Sequence, residues 1–499
     1  MFNSSRFISN AAVSVVQAVV SGLVLFFLYR YLIDHLGAKQ LGLWSVVLAG
    51  TSVARLSDMG LTGSVVKFVA RYRALEDDLQ AAEVVQTAAI SIGVVMAVFL
   101  LLIYPFLDNV LSLSLPAESM PQALSILPWA VLSLWLSCVG GVFQSGLDGC
   151  LRMDLRNILL MFGNGLFLGA ACWLVPRYGL LGLAIGQAGQ GLLLISGCWL
   201  LLRRQLSSLP WLPIFWSKAK FKEMFGYAVN FQITSVAVML VEPVTKLLMS
   251  RYGGLSSAAY YEMAGQMIVK LRALLIAANQ ALVPSVAALH ETAPEKVRDL
   301  YLKAYRMVFF VVVPFYAAIL ISLPLVSHLW IGHIEDHFLF FGAVLALGWG
   351  FNTLNIPAYF ICLGTGDLRW NTISHVAMAL MNVPLCWLLG KMFGGEGVAV
   401  GAMVALVCGS GGLLYAIHRI YNISLRQSVP REHYSLLVAA VTGVAITLLV
   451  NRANAFGSNP LLAGLVEVGV CLLLMGGVAW FHPYRVLLFQ LVAVGWAKK

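Results

Sequence analysis

Charge is what this sequence has least of. Asp, Glu, Lys and Arg make up 11% of its 499 residues, and hydrophobic types 60%. A soluble domain carries about 25% charged residues and about 45–50% apolar ones. With a mean hydropathy of +0.86, the chain has more apolar surface than a soluble core can enclose, so a water-soluble fold is excluded. Signatures of several chemistries are missing too. There is no Walker A pattern, which argues against an ATP site in the chain itself, and no G-x-S-x-G or H-E-x-x-H. No two of the eight cysteines form a C-x-x-C pair. Cys138, Cys172, Cys198, Cys362, Cys386, Cys408 and Cys471 lie in apolar runs and Cys150 near a helix end, as small packing residues do. His333 and His337 share an outer loop with Glu335 and Asp336, which reads as a solvated loop and not as a metal site.

What the chain has instead is long apolar runs. Val84–Leu107, Ala123–Leu147 and Tyr434–Val450 are each charge-free and close to the roughly 20 residues that cross a bilayer core. Breaks at charges and at Gly/Pro clusters predict spans at 7–33, 40–61, 82–107, 122–146, 155–176, 179–202, 224–250, 257–284, 305–330, 338–362, 371–392, 396–417, 434–451 and 460–481. The expected fold class is thus all-α integral membrane, with about 14 transmembrane helices. The stretch after Arg6 stays apolar to about Leu28, too long for a signal-peptide core, and reads as the first span.

Of the 32 Lys and Arg residues, 22 fall on the side of the N-terminus, six on the other side, and four within spans: Arg55, Lys246, Lys270 and Arg272. The positive-inside rule then predicts that both termini face the cytoplasm. That basic face accounts for the net charge of +10 through attraction to anionic headgroups, and no nucleic-acid partner is expected. The longest connection, 203–223, holds Pro210 and Pro213 and a basic run ending at Lys222. It divides the chain into an N-lobe at 1–202, a linker at 203–223, a C-lobe at 224–417, and a C-terminal part at 418–499 with two further helices and an amphipathic tail.

The halves repeat. Gly37–Trp44 lies opposite Gly253–Tyr260, Leu151-Arg152 opposite Leu368-Arg369, and Gly179, Gly182, Ala184 and Gly186 opposite Gly394, Gly397, Ala399 and Gly401, at offsets of 216, 217 and 215. Six spans separate the copies, an even number, so the repeat is parallel about an axis along the membrane normal. The expectation is two parallel six-helix lobes around a central cavity, plus two C-terminal helices.

The stretch Tyr31-Leu32, Leu36-Gly37-Ala38-Lys39-Gln40-Leu41-Gly42-Leu43-Trp44, Leu56-Ser57-Asp58-Met59-Gly60-Leu61 and Val66-Lys67-Phe68-Val69-Ala70-Arg71 resembles the opening signature of bacterial polysaccharide and O-antigen flippases. These form the polysaccharide transporter branch of the multidrug/oligosaccharidyl-lipid/polysaccharide exporter superfamily. Leu329-Trp330-Ile331-Gly332 resembles the superfamily motif after the ninth span, with His333 where an acidic residue is frequent. The resemblance implies a flippase that carries an undecaprenyl-pyrophosphate-linked oligosaccharide between leaflets of the bacterial inner membrane, by alternating access, for surface polysaccharide such as O-antigen. It implies no enzyme activity and no cofactor. The implied partners are the lipid-linked substrate, membrane lipids, and a polysaccharide polymerase with its chain-length regulator, around a monomeric transporter.

Charges inside spans are the candidate site, because one at the bilayer centre costs about 3 kcal/mol on insertion scales. Arg55 and Asp58 are three apart, Glu242 and Lys246 four apart, and Glu262, Gln266 and Lys270 step by four toward Arg272. Arg55 falls opposite Arg272 in the repeat. One reading makes these self-neutralising pairs that lock helices. The other makes Arg55, Arg272, Lys270 and Lys246 the cations that hold a pyrophosphate headgroup, for which the arginine fork is suited. Asn10, Ser14, Gln17 and Ser21 form a polar stripe on the first span, and Asn230, Thr234 and Thr245 another on the seventh. Such side chains line a sugar path or join helices by hydrogen bonds. The Glu242-Pro243 step predicts a bend. With no ATP site, the return of the empty carrier would be thermal or coupled to H⁺ or Na⁺, for which Glu242, Glu262 and Asp58 are the candidate carboxylates. The rival functions are an ion-coupled multidrug or lipid II exporter of the same fold, and a membrane-embedded polysaccharide polymerase or ligase. The absence of a large external loop weighs against the last.

Overall fold

The computed structural model describes residues 4–52, 61–279, 282, 286, 289–290, 292–452 and 460–485. Among them the secondary structure is helical throughout: α1 Ser4–Ser52, α2 Leu61–Ala74, α3 Asp78–Ser112, α4 Met120–Gly149, α5 Met153–Tyr178, α6 Leu180–Gln205, α7 Lys218–Asn279, α8 Glu295–Ile331, α9 Asp336–Leu354, α10 Ile356–Thr365, α11 Arg369–Ile420, α12 Tyr434–Arg452 and α13 Pro460–Phe481, with single turns between some of them. Ten helical segments of the described residues are long and apolar enough to cross a membrane. Three helices are each two arms joined at one non-helical glycine, Gly37 in α1, Gly254 in α7 and Gly394 in α11. The spans predicted at 7–33 and 40–61 therefore share α1, those at 224–250 and 257–284 share α7, and those at 371–392 and 396–417 share α11.

Three expectations change. Lys67, Arg71 and Arg73 made 62–81 look like loop, yet α2 is a helix there. It buries Val65, Phe68 and Val69 on the i, i+3, i+4 face that an amphipathic helix presents. The span expected at 338–362 is interrupted at Asn355, which caps α10 with Pro357 in its first turn. At Pro243 the backbone stays helical; the departure in α7 comes at Gly254.

The chain groups into two compact units, Met1–Ala259 and Tyr260–Lys499. The boundary lies within α7, just past its bend. In the first unit Val84, Val85, Phe143, Leu147, Trp199 and Leu202 form a buried core, with the Phe143 and Trp199 rings 4.7 Å apart. Between membrane helices both sides are as apolar as lipid, so association rests on close packing. Glycines supply it: Gly146 faces Leu202, Gly191 faces Leu136 and Gly197 faces Leu159, each leaving under 3 Å where a Cβ would go. In the second unit one core gathers Tyr301, Tyr305, Ile361, Leu413 and Ile417. A second, of Ile321, Ala439, Cys471 and Met475, packs α12 and α13 onto α8. At the end of that packing the His433 and His482 rings lie 4.9 Å apart, and His433 Nε2 meets the Arg306 carbonyl at 3.1 Å.

The repeat is visible in the backbone and in a corrected register. Gly37 (φ 77°, ψ 165°) matches Gly254 (φ 81°, ψ 173°), an offset of 217, one more than the sequence comparison gave. Gly179 (φ 56°, ψ −134°) matches Gly394 (φ 64°, ψ −147°). These are left-handed values that a Cβ opposes. The positive φ of Leu151 matches that of Gly366, an offset of 215, and the helices that follow start at Met153 and Arg369, an offset of 216. A Cβ on Gly182 would lie 2.5 Å from the Leu174 carbonyl oxygen, and one on Gly397 2.0 Å from that of Leu389, the same contact in both copies. The Leu329–Gly332 motif is a helix end. Gly332 caps α8 in the left-handed conformation, and Ser327 Oγ donates to the His333 carbonyl (3.0 Å) and accepts from Glu335 N (2.9 Å).

Candidate functional site

Each unit holds its own polar site among apolar helices. In the first, three helices converge on uncharged amides and hydroxyls. Gln17 Nε2 on α1 donates to Ser21 Oγ at 2.9 Å. Asn164 Nδ2 on α5 donates to the same hydroxyl at 2.9 Å, and Gln190 Nε2 on α6 donates to Asn164 Oδ1 at 2.8 Å. Beside this chain, between α4 and α6, a cavity of about 90 Å³ is lined by Ser133, Ser137, Gln144, Gln187 and Gln190. Gly140 and Gly191 also line it. A cavity of this size, with amides and hydroxyls in its wall, is large enough to admit several waters or the hydroxyls of a sugar. A larger open recess of about 490 Å³, lined among others by His35, Gln40, Gln122, Ser125 and Tyr178, lies where α5 meets α6 at Gly179.

In the second unit the centre is Arg272, on the second arm of α7. Its Nη2 donates to Asn352 Oδ1 at 2.7 Å, and Asn352 Nδ2 donates to Ser410 Oγ at 2.6 Å. The guanidinium lies 4.7 Å from the Trp349 ring centre, a distance at which the ring face attracts a cation. Nε is buried and makes no hydrogen bond among the described residues. No described carboxylate pairs with Arg272. Next to it Tyr316 Oη and Thr353 Oγ1 are 2.9 Å apart. A guanidinium held by neutral groups keeps its full charge for an anion.

The other predicted residues fall into three groups. Lys246 is neutralised on its own helix: Nζ meets Glu242 Oε1 at 2.6 Å, with the glutamate side chain 67% exposed. Glu262 accepts from Gln266 Nε2 at 3.0 Å, and Lys270 is exposed on the helix that carries Arg272. Thr245 Oγ1 turns back to the Val241 carbonyl at 2.8 Å. Arg55 and Asp58 lie outside the described residues, as do the side chains of Asn10, Ser14, Asn230 and Thr234. Among the described residues no three His, Cys, Asp or Glu side chains form a metal-binding group.

Sequence reasoning passed over Asn164, Gln190, Gln187, Gln144, Asn352 and Trp349, because a neutral side chain leaves no mark on a hydropathy profile. It also passed over Glu467, 3% exposed in α13, whose two carboxyl oxygens have no partner among the described residues. As the one charge in an apolar span, Glu467 carried a readable signal.

Known structures share this architecture. The lipid II flippase MurJ in an inward closed conformation superposes with a TM-score of 0.75 at 13% identity, covering 96% of this chain and 100% of that one. An inward-facing multidrug resistance MATE transporter of the MOP superfamily gives 0.69 at 16% identity, over 81% of this chain and 98% of that one. A MOP superfamily transporter from Pyrococcus furiosus gives 0.55 at 15%, over 84% and 95%. At these identities the likeness establishes the fold, an all-helical, multi-pass membrane architecture. No curated protein sequence matches the chain. Residues 35–333 match the family of polysaccharide biosynthesis proteins, and the chain belongs to that family.

Proposed function

We propose that the protein is a flippase that moves an undecaprenyl-pyrophosphate-linked oligosaccharide from the inner to the outer leaflet of the bacterial inner membrane by alternating access, supplying surface polysaccharide such as O-antigen. The observation that carries this reading is Arg272, a guanidinium among membrane helices with an amide, a hydroxyl and an aromatic ring around it and no paired carboxylate among the described residues. An uncompensated cation there is costly unless an anionic ligand uses it. The neutral amide cavity of the first unit suits sugar hydroxyls, which hydrogen-bond without charge. No bond is made or broken. Membership of the polysaccharide biosynthesis family supports a saccharide-bearing substrate over a drug.

The direct test is transport of a fluorescent lipid-linked oligosaccharide in reconstituted vesicles. Flipping by the purified protein is expected, and a leaflet distribution equal to that of protein-free vesicles overturns the proposal. Gln190→Leu is expected to slow flipping by about 5- to 10-fold, from loss of roughly 1–1.5 kcal/mol of hydrogen bonding, with Arg272 intact. An unchanged rate removes the amide cavity from the sugar path. Reporter fusions are expected to place both termini and the 203–223 linker in the cytoplasm.

Outward movement of a multiply negative headgroup is favoured by an inside-negative potential, at about 2.3 kcal/mol per charge per 100 mV. The empty carrier still has to return. We place that step on a proton or Na⁺ taken up by Glu242 or Glu262, each already bonded to a side chain four residues on. Collapsing the coupling gradient is expected to slow flipping, and Glu242→Gln or Glu262→Gln to remove that sensitivity. Undiminished flipping with both gradients collapsed means passive return.

A further inference from the structure

The segment between α6 and α7 carries a large exposed apolar cluster outside a helix. Trp211 is 73% exposed, Leu212 69%, Ile214 79%, Phe215 43% and Trp216 47%. Five such side chains in six positions form a patch that water does not tolerate without a partner. The backbone of the same segment is pinned to α3. Gln86 Oε1 accepts from Ile214 N (3.3 Å) and Phe215 N (3.2 Å). Trp216 Nε1 donates to Ser91 Oγ at 2.9 Å, and Ser217 N donates to Thr87 Oγ1 at 3.2 Å. At the other end Trp199 Nε1 donates to the Trp211 carbonyl at 2.9 Å. Arg203 stacks 3.7 Å from the Trp211 ring and donates Nε to the Leu209 carbonyl at 3.2 Å.

The anchor points lie in the apolar part of α3. Glu83 is the last charged residue of α3 before Asp108, and Gln86, Thr87 and Ser91 all lie past it in the charge-free stretch. Ser91 is 13 residues from the start of α3 at Asp78, about 20 Å along the helix at 1.5 Å per residue. Backbone N–H groups at that level need partners from protein. Gln86 and Thr87 supply them, and Pro210 and Pro213 remove two donors from the account. Residues 203–222 contain five basic residues and no acidic one. Arg203 and Lys220 are engaged by aromatic rings, while Arg204, Lys218 and Lys222 are exposed.

We propose that Leu206–Ser217 is a membrane-seated strap, and that with Arg204, Lys218 and Lys222 it binds anionic phospholipid of the leaflet in which it lies. Trp211 and Trp216 sit at the interface where indoles are favoured. The apolar side chains enter the acyl boundary, and the free cations meet the headgroups. The strap is independent of what the protein transports.

The test is photo-crosslinking of the full chain in vesicles of phosphatidylcholine with phosphatidylglycerol. A p-benzoylphenylalanine is placed at Leu212 or Ile214, with Glu76, in the exposed turn before α3, as the aqueous control. Mass spectrometry is expected to find phospholipid adducts at 212 and 214 and none at 76. Phosphatidylglycerol is expected to exceed its bulk share by about threefold or more. The combined variant Arg204→Gln, Lys218→Gln, Lys222→Gln should keep the adducts and lose the enrichment, and high salt should do the same to the unaltered chain. Adducts to protein, no adducts, the bulk lipid ratio, or enrichment that survives both treatments would overturn the proposal.

Discussion

Arg272→Ala is expected to cut flipping of a lipid-linked oligosaccharide by roughly 10- to 100-fold, the loss of one charge-assisted hydrogen-bonding group worth about 1.5–3 kcal/mol. The folded protein should meanwhile be as stable as before, or more so. The reason is the sign of the electrostatics. A cation paired with a buried carboxylate leaves an orphaned charge when it is removed, and the protein loses stability. Arg272 has no such partner among the described residues; its neighbours are Asn352, Trp349 and, through Asn352, Ser410. Removing it relieves a desolvated charge and leaves only one amide oxygen to rehydrate. Thermal stability in detergent, read alongside transport, separates the two roles. A drop of several degrees with transport lost in proportion would make Arg272 a helix lock. Arg272→Lys should recover part of the rate, because a point charge replaces the fork. Full activity in Arg272→Ala would remove the cation from the transport path altogether.

Gly42→Ala is expected to destabilise the fold by more than about 3 kcal/mol, at the upper end for overpacking. A Cβ at Gly42 would lie 1.7 Å from the Leu255 carbonyl oxygen and 2.5 Å from its carbonyl carbon. Both are backbone atoms next to the Gly254 bend, so no rotamer change makes room. The control is Gly22→Ala, also in α1, where nothing lies within 4 Å; it should be neutral or gain up to about 1 kcal/mol of helix propensity. Size-exclusion profiles after graded heating measure both. Equal melting of the two variants would show that the α1 and α7 bends yield where they touch.

Spans were legible because lipid demands a continuous apolar run from each helix, and that demand is local in sequence. The bends were legible as glycines. Their register was less so, since Leu151 and Gly366 share a backbone turn and not a residue type. The helix α2 was hidden because its three basic residues masked the 65, 68, 69 face. At the site, Arg272 stood out as one of four cations placed within spans. Its setting did not, because Asn352 and Ser410 reach it from helices some 80 and 140 residues away in sequence, and only the fold brings them there. The amide chain of Gln17, Ser21, Asn164 and Gln190 was half readable. The α1 stripe announced itself by spacing, while its α5 and α6 partners are single polar residues with no pattern of their own.

The matched contacts at Gly182 and Gly397 bear on how either unit can deform. In both copies a glycine rests against the carbonyl of a leucine eight residues earlier, at a distance that excludes even a methyl group. Two antiparallel arms seated this closely act like a gear tooth in its notch. Translating one arm along the other would drive the next residue's side chain into the carbonyl, so longitudinal slippage at these two corners is blocked. Rotation as a single block remains open to each hairpin, 153–205 and 369–420. Any shape change within a unit has to be taken up elsewhere, by elements that lack such a notch.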